Sequence, residues 1–121
     1  MEKLRQEAKT GARLDLDTND PRVRGYFTNL RKAIELVWNY PIDASKNGLA
    51  GKVFLKWVIL RNGEITDIEI LKSSGHELLD QNMIDTLKLV SPAAPLLKTL
   101  DRERMTVTGT FNYELTPPSK A

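Results

Sequence analysis

Few side chains in this sequence have the type and spacing needed to make or break bonds. His76 is the single histidine, and the chain contains no cysteine. A catalytic imidazole needs a nucleophile or a second base beside it, and no nucleophile motif accompanies His76. The lack of cysteine excludes disulfides, thiol catalysis and cysteine-ligated metals. We therefore expect no catalytic residue, no metal site and no cofactor, and we predict that the protein is not an enzyme.

Two further polar clusters have simpler structural explanations. Ser73-Ser74-Gly75 precedes a predicted helix, where free amides could hold an anion, but helix capping accounts for the same residues. Asp15, Asp17 and Asp20 have the alternate spacing of a calcium loop, yet the glycine and distal glutamate of such a loop are missing. The first cluster predicts a helix cap, and the second predicts no metal site.

Composition indicates one globular domain. The chain has 121 residues, of which 40% are hydrophobic and 28% charged, enough for a single core. Eighteen basic and 16 acidic residues give a net charge of +2, which argues against nucleic-acid binding through backbone charge. No apolar run approaches the roughly 18 residues that a membrane span needs, and the start lacks a signal-peptide core. We expect these residues to be the soluble end of a longer protein.

The first predicted helix follows a charged lead-in. Residues 1–19 are charged and weakly periodic, which favours a solvated lead-in or a frayed helix. Asp20-Pro21 is a good helix start, and Pro41 disfavours helical geometry at Tyr40, so the helix should end near Asn39. Apolar residues repeat on one face of this segment, as expected for an amphipathic helix: Tyr26, Leu30, Ala33, Ile34 and Val37. Asp43 to Ala50 is predicted as a loop or short turn.

A hairpin is the strongest local signal. Residues 51–60 are rich in β-formers with apolar side chains on both faces, which indicates a central strand. Asn62-Gly63 predicts a type I′ turn, and the returning strand spans residues 65–71. The apolar residues of that strand change faces, which a bulge near Asp67 would explain.

The remaining elements complete a two-layer domain. A second helix is predicted over residues 76–90, with Asp80 on its outer face, and a one-sided strand over 105–115. A right-handed crossover places this third strand beside the first. The predicted fold is α+β, helix-strand-strand-helix-strand, with a three-stranded antiparallel sheet in the order 2-1-3. Residues 20–116 form the domain, and 117–121 form a tail.

The third strand is predicted to lie at an edge of the sheet. It has no internal proline and no charge before Glu114, so it is suited to pairing with an added strand unless a chain terminus covers it. Trp38 and Tyr40-Pro41 either pack against the core or form a binding lip beside this edge; both interpretations are compatible.

Several segments, taken together in order, resemble the TonB C-terminal domain family. They are Tyr40-Pro41-Ile42-Asp43-Ala44, Gly48-Leu49-Ala50-Gly51-Lys52-Val53, Ile59-Leu60-Arg61-Asn62-Gly63-Glu64-Ile65, Ile70-Leu71-Lys72-Ser73-Ser74-Gly75 with Leu79-Asp80, Ala93-Ala94-Pro95-Leu96 and Phe111-Asn112-Tyr113-Glu114-Leu115. Trp38, before Tyr-Pro, also occurs in TonB-like proteins.

This resemblance implies a role in energy transduction. Proteins of this family are anchored in the inner membrane, work with the ExbB/ExbD proton-driven motor and reach across the periplasm. Their C-terminal domain takes the TonB box of an outer-membrane transporter as an added strand, which drives import of iron complexes or cobalamin. Carried over, the partner-binding residues are Asn39, Tyr40, Pro41, Met105, Thr106, Val107, Thr108, Gly109, Thr110, Phe111, Asn112 and Tyr113.

The sequence also departs from the family pattern. The usual glutamine-rich stretch before Tyr-Pro is Val37-Trp38-Asn39, a small alanine of the second helix is replaced by Met83, and the Pro-Phe-Pro-Pro run is reduced to Pro95-Leu96-Leu97. Two alternatives therefore remain. One is a TolA-like or other envelope adaptor with the same fold. The other is a self-association module, a homodimer formed through the open strand edge or through Phe54, Val58 and Leu60.

Overall fold

A computed structural model describes residues 14–96 and 103–115 of the chain. Its elements are β1 (Leu14–Asp15), α1 (Arg24–Val37), α2 (Ile42–Lys46), β2 (Gly51–Leu60), β3 (Ile65–Lys72), α3 (Glu77–Val90) and β4 (Arg104–Tyr113). The predicted lead-in before residue 14 and the predicted tail 117–121 lie outside the described residues. Within the described ranges, no helix combines the length and apolar character needed to cross a membrane.

The sheet has four strands in the order β1-β4-β2-β3. β2 pairs antiparallel with both β3 and β4, as the sequence predicted for the three long strands. The prediction of a three-stranded, purely antiparallel sheet is wrong, because β1 pairs parallel with β4 and makes the sheet mixed. Residues 14 and 15, predicted as part of a solvated lead-in, belong to the sheet instead, and Leu16 directly after them is buried.

The core lies between one face of the sheet and the helices. In β2, alternate side chains are fully buried, as expected for the strand at the centre of the three long ones: Val53, Leu55, Trp57 and Ile59. β4 adds Met105, Val107, Phe111 and Tyr113, and the helices add Tyr26, Phe27, Leu30, Ile34, Leu79, Met83 and Leu87. Leu115, predicted on the apolar face, lies beyond the end of β4 and is exposed.

The β2–β3 hairpin differs from the prediction at its turn. Gly63 has a φ of +98°, but Asn62 does not adopt positive φ, so the turn is not type I′. Instead the Gly63 amide donates to the Leu60 carbonyl at 2.8 Å, and the Asn62 side chain accepts the Glu64 amide at 3.0 Å. The predicted bulge is confirmed, because Asp67 has a φ of +55° where the β2–β3 register shifts.

The helix starts also differ in detail. Asp20 does not cap α1, because its side chain accepts the Arg22 amide in a turn and the helix begins four residues later, at Arg24. The segment after Pro41, predicted as a loop or short turn, contains the five-residue helix α2. Local hydrogen bonding by short polar side chains explains why a capping signal can precede a helix by one turn.

The link from β3 to α3 is fixed by Asp80 rather than by a serine cap. The predicted outward position of Asp80 is wrong: its side chain is buried and accepts bonds from Ser73 and Ser74. His76 occupies the N-cap position of α3 without a side-chain capping bond. The segment Ser73-Ser74 between β3 and α3 is therefore held by hydrogen bonds to the Asp80 carboxylate, in the first turn of α3.

Candidate functional site: the β4 edge and its cleft

The outer edge of β4 is defined by one backbone hydrogen bond. The Leu16 amide donates to the Thr108 carbonyl at 2.7 Å, so the backbone groups of Thr108 point away from β2. The β2–β4 register has no irregularity, and backbone groups alternate sides along a strand. The outward groups therefore belong to Arg104, Thr106, Thr108, Thr110 and Asn112. The intervening residues of β4 pair with β2.

Strand β1 covers the first half of this edge. Leu14 lies opposite Val107 and Asp15 opposite Thr108, and the Asp15 carboxylate accepts the Thr108 hydroxyl at 2.9 Å. The sequence left two outcomes open for this edge, cover by a chain terminus or use by a partner, and over its first half the edge is covered by β1. Within the described residues, no strand pairs with the outer side of β4 at Thr110 and Asn112.

A turn carries the chain away from β4 after Leu16. The Thr18 amide donates to the Asp15 carbonyl at 2.9 Å, which closes the turn. Arg31 of α1 donates to the Leu16 carbonyl at 3.1 Å and forms an ion pair with the Asp17 carboxylate. This pair is solvent-exposed, so it contributes at most about 1 kcal/mol to stability. The contacts of Arg31 therefore stabilise the end of β1 only weakly.

A cleft of about 310 Å³ opens where β1 leaves the edge. It is lined by Leu16 and Asp17 after β1, by Arg31, Ile34, Glu35 and Trp38 on the α1 side, and by Thr110, Phe111 and Asn112 of β4. The half-buried Trp38 ring packs edge-on against Phe111 and Tyr113, with ring centres 5.5 and 5.2 Å apart. The cleft thus has an apolar wall next to unpaired strand backbone.

The structure brings part of the predicted lip to this place. Trp38 lines the cleft, whereas Tyr40 packs edge-on against Tyr113 at 5.4 Å and donates its hydroxyl to the Leu49 carbonyl. Asn39 is exposed, with its side-chain amide 3.4 Å from the Val37 carbonyl. Asn39, Tyr40 and Pro41 do not line the cleft. Tyr40 therefore does not line the cleft itself but packs against Tyr113, which in turn contacts the cleft residue Trp38.

Sequence reasoning missed several residues of the cleft. They are Leu16, Asp17, Arg31, Ile34 and Glu35. The alternation of Leu14 and Leu16 around Asp15 was the available signal for a short strand. Arg31 and Glu35 lie on the polar side of the α1 periodicity, where sequence alone gives no reason to select them.

Tyr113 anchors the end of β4 to α3. Its hydroxyl donates to the Asn82 side-chain oxygen at 2.5 Å, and burial raises the pKa of the phenol to about 12. Since Trp38 and Tyr40 both pack on its ring, the end of β4 is held firmly beside the open edge.

The opposite edge of the sheet is less suited to strand addition. β3 has two register shifts against β2, and one of them coincides with the positive φ of Asp67. Bulges twist an edge and interrupt its regular hydrogen-bonding groups. Among the residues that the structure describes, no cluster of acidic or histidine side chains could hold a metal ion. The β4 edge is therefore the candidate functional site.

Fold and site together define a small α+β domain that presents a strand edge beside an aromatic cleft. The chain belongs to the family described as Gram-negative bacterial TonB protein C-terminal, whose model matches residues 38–115. This confirms the predicted family. The family is a non-catalytic protein-interaction domain, which agrees with the prediction that the chain is not an enzyme.

Solved structures support the same fold. A solution structure of the Helicobacter pylori TonB C-terminal domain is 22% identical, with a TM-score of 0.68, and the match covers 82% of this chain and 89% of that one. A shorter form of that domain is 23% identical, with a TM-score of 0.60, and the match covers 76% of this chain and 96% of that one. A solution structure of the Pseudomonas aeruginosa TonB C-terminal domain is 20% identical, with a TM-score of 0.52, and the match covers 65% of this chain and 79% of that one. No curated protein sequence matches the chain significantly.

Proposed function

We propose that this domain binds the TonB box of an outer-membrane transporter by strand addition to β4. The open backbone groups of Thr110 and Asn112 would pair with the incoming segment, and Trp38 and Phe111 would contact its side chains. The observation that carries this proposal is the regular, partly unpaired β4 edge beside an apolar cleft. Backbone pairing supplies affinity without a nucleophile, a metal or a large net charge.

Membership of this family supports a proposal for the wider role. We place the domain in the periplasm, as the soluble end of a protein anchored in the inner membrane. There it would couple ExbB/ExbD and the proton motive force to active import, including uptake of iron-siderophore complexes. Since tension must pass through the added strand, a firmly held end of β4 suits this role, and Tyr113 provides it through Asn82, Trp38 and Tyr40.

Titration with TonB-box peptides tests the proposal. Binding should shift the backbone amide signals of residues 110–113 and leave β3 signals unchanged. Thr110→Pro should abolish binding, because it removes an outward amide that β2 does not use, while the fold survives. Thr110→Ser keeps the amide and is the matched control. The proposal fails if the peptides leave residues 110–113 unshifted, or if Thr110→Pro binds them as well as Thr110→Ser does.

A further inference from the structure

We propose that β1 is a built-in occupant of the β4 edge, which an extended partner segment of alternating apolar and acidic residues replaces in parallel orientation. This inference rests on the proposed function and adds the order of events and the chemistry of the partner. Three features of the edge support it: its length, the weak attachment of β1, and the side chains that β1 places there.

The open part of the edge supports only a short added strand. Thr110 and Asn112 offer the outward backbone groups of two residues, and because such groups alternate along a strand they pair with a segment of about four residues, near the lower end of the usual three to ten. Thr106 and Thr108 would double the available groups, but β1 occupies that half of the edge. A partner that uses the full edge must therefore displace residues 14–16.

The attachment of β1 is light enough for such an exchange. β1 has two residues, and neither has a fully buried side chain. Leu16, directly after β1, is the buried residue of this segment, with 6% of its surface exposed. Besides the apolar contacts of Leu14 and Leu16, this segment is held by the Asp15–Thr108 hydrogen bond, by the bond from Arg31 to the Leu16 carbonyl and by the Arg31–Asp17 ion pair, whose side chains are 45% and 75% exposed. By contrast, β2 and β4 pair along their full length. Displacing β1 therefore leaves the three long strands intact.

The sequence of β1 indicates what the edge accepts. The half-buried Leu14 packs against the core and Leu16 is buried, while the intervening Asp15 accepts the Thr108 hydroxyl. Thr106 and Thr110 lie on the same sheet face as Thr108 and offer the same donor, since side chains alternate along a strand. A longer partner would repeat this apolar–acidic alternation. Its apolar side chain opposite Phe111 would enter the cleft beside Trp38.

A designed peptide tests this inference on the full chain. The sequence Leu-Asp-Leu-Asp-Leu-Asp-Leu can pair from Met105 to Phe111, and Leu-Leu-Asp-Asp-Asp-Leu-Leu has the same composition without alternation. We expect the alternating peptide to shift the amide signals of Thr110 and Phe111 and to remove the exchange protection of the Leu16 amide. The scrambled peptide should do neither.

A variant pair tests competition directly. Asp15→Ala removes the side-chain bond of β1 to Thr108, so the alternating peptide should bind about fivefold more tightly, the equivalent of one net hydrogen bond. Asp43→Ala, an exposed aspartate on α2, should leave the affinity unchanged. Equal affinities of the two variants, or no binding of the peptide, would overturn the inference.

The two proposals can fail separately. If TonB-box peptides shift residues 110–113 while the Leu16 amide stays protected, β1 is not displaced, and the inference is overturned but strand addition stands. If TonB-box peptides leave residues 110–113 unshifted, strand addition itself is overturned, whatever the designed peptide does.

Discussion

The Asp80 carboxylate accepts the Ser73 and Ser74 hydroxyls at 2.5 and 2.8 Å and the Ser74 amide at 2.9 Å. Burial by itself raises the pKa of this carboxyl, but the three donated bonds outweigh burial and lower the pKa below its usual value of 3.8. A lowered folded-state pKa stabilises the protein above the unfolded pKa, and this contribution is lost as pH falls through the folded pKa.

Asp80→Ala should therefore lower the free energy of unfolding at pH 7 by about 2 kcal/mol, because it removes charge-assisted bonds to the β3–α3 link. At pH 3 the loss should be smaller, because this pH lies below the unfolded-state pKa of about 3.9 and the stabilisation by the carboxylate has begun to decline. Urea unfolding at both pH values measures this difference. Asp85→Ala, on the exposed face of α3, is the control and should change stability by less than about 0.5 kcal/mol. Equal losses for Asp80→Ala at both pH values would contradict the hydrogen-bond explanation.

Two buried tyrosines predict a loss of stability at high pH. Burial raises the pKa values of Tyr26 and Tyr113 to about 12, from 10.0. A raised folded-state pKa means that stability is complete below the unfolded value and declines as pH rises from about 10 to about 12. Urea unfolding across this range should show the decline. Tyr113→Phe should reduce its slope, and an unchanged slope would refute the assignment to Tyr113.

At the scale of elements, the hairpin depends on a close approach at Gly63. A Cβ atom there would lie 2.0 Å from the Ala93 carbonyl oxygen, and the φ of +98° is itself unfavourable for other residues. This approach joins the turn to the segment after α3, since the Ala93 amide donates to the Gly63 carbonyl at 2.8 Å. The turn thus positions the chain before it enters β4.

Gly63→Ala should cost more than about 2 kcal/mol, because a positive-φ cost of about 1 kcal/mol adds to the collision with Ala93. Gly48 is a matched control: its φ is +67°, but nothing lies within 4 Å of the added Cβ. Gly48→Ala should therefore cost about 1 kcal/mol. Thermal unfolding of both variants measures the difference, and similar costs would show that the Ala93 contact is unimportant.

Elements with a strong local pattern were predictable, and short elements were not. The bounds of β2 follow from its β-branched run and the Asn62-Gly63 turn, and the face change of β3 revealed the bulge at Asp67. β1 was not predicted, because the alternation of Leu14, Asp15 and Leu16 is too short to indicate a strand and the pairing partner of Leu14, Val107, is 93 residues away in the chain. Asp80 was misplaced because amphipathic periodicity assumes that a carboxylate faces solvent unless partners are known.

At the scale of the whole molecule, the partner surface was only partly predictable. The last strand was identified as an edge from topology, since a crossover must return β4 beside β2. Which half of that edge is open depends on where β1 lies, and the cleft depends on how α1 crosses the sheet at Ile34 and Trp38. These are tertiary relations between distant segments, which local spacing does not encode.

Both outer edges of the sheet are protected against pairing with a second copy. β3 is interrupted by bulges, and β1 covers half of β4. On the open sheet face, Val58 is already buried to 5% exposure within one chain, so it adds little area for a dimer. We therefore predict a monomer of 13.7 kDa in sedimentation equilibrium at high micromolar concentration.

The same argument predicts how self-association could be induced. Leu14→Asp places a charge on the core side of β1 and should free the outward groups of Thr106 and Thr108 for pairing with another chain. This variant should show a concentration-dependent rise in mass, whereas Lys88→Asp, on the exposed side of α3, should remain monomeric. A wild-type dimer would contradict edge protection by β1 and favour the self-association module that the sequence left open. A monomeric Leu14→Asp variant would show that β1 is not needed to keep β4 from pairing.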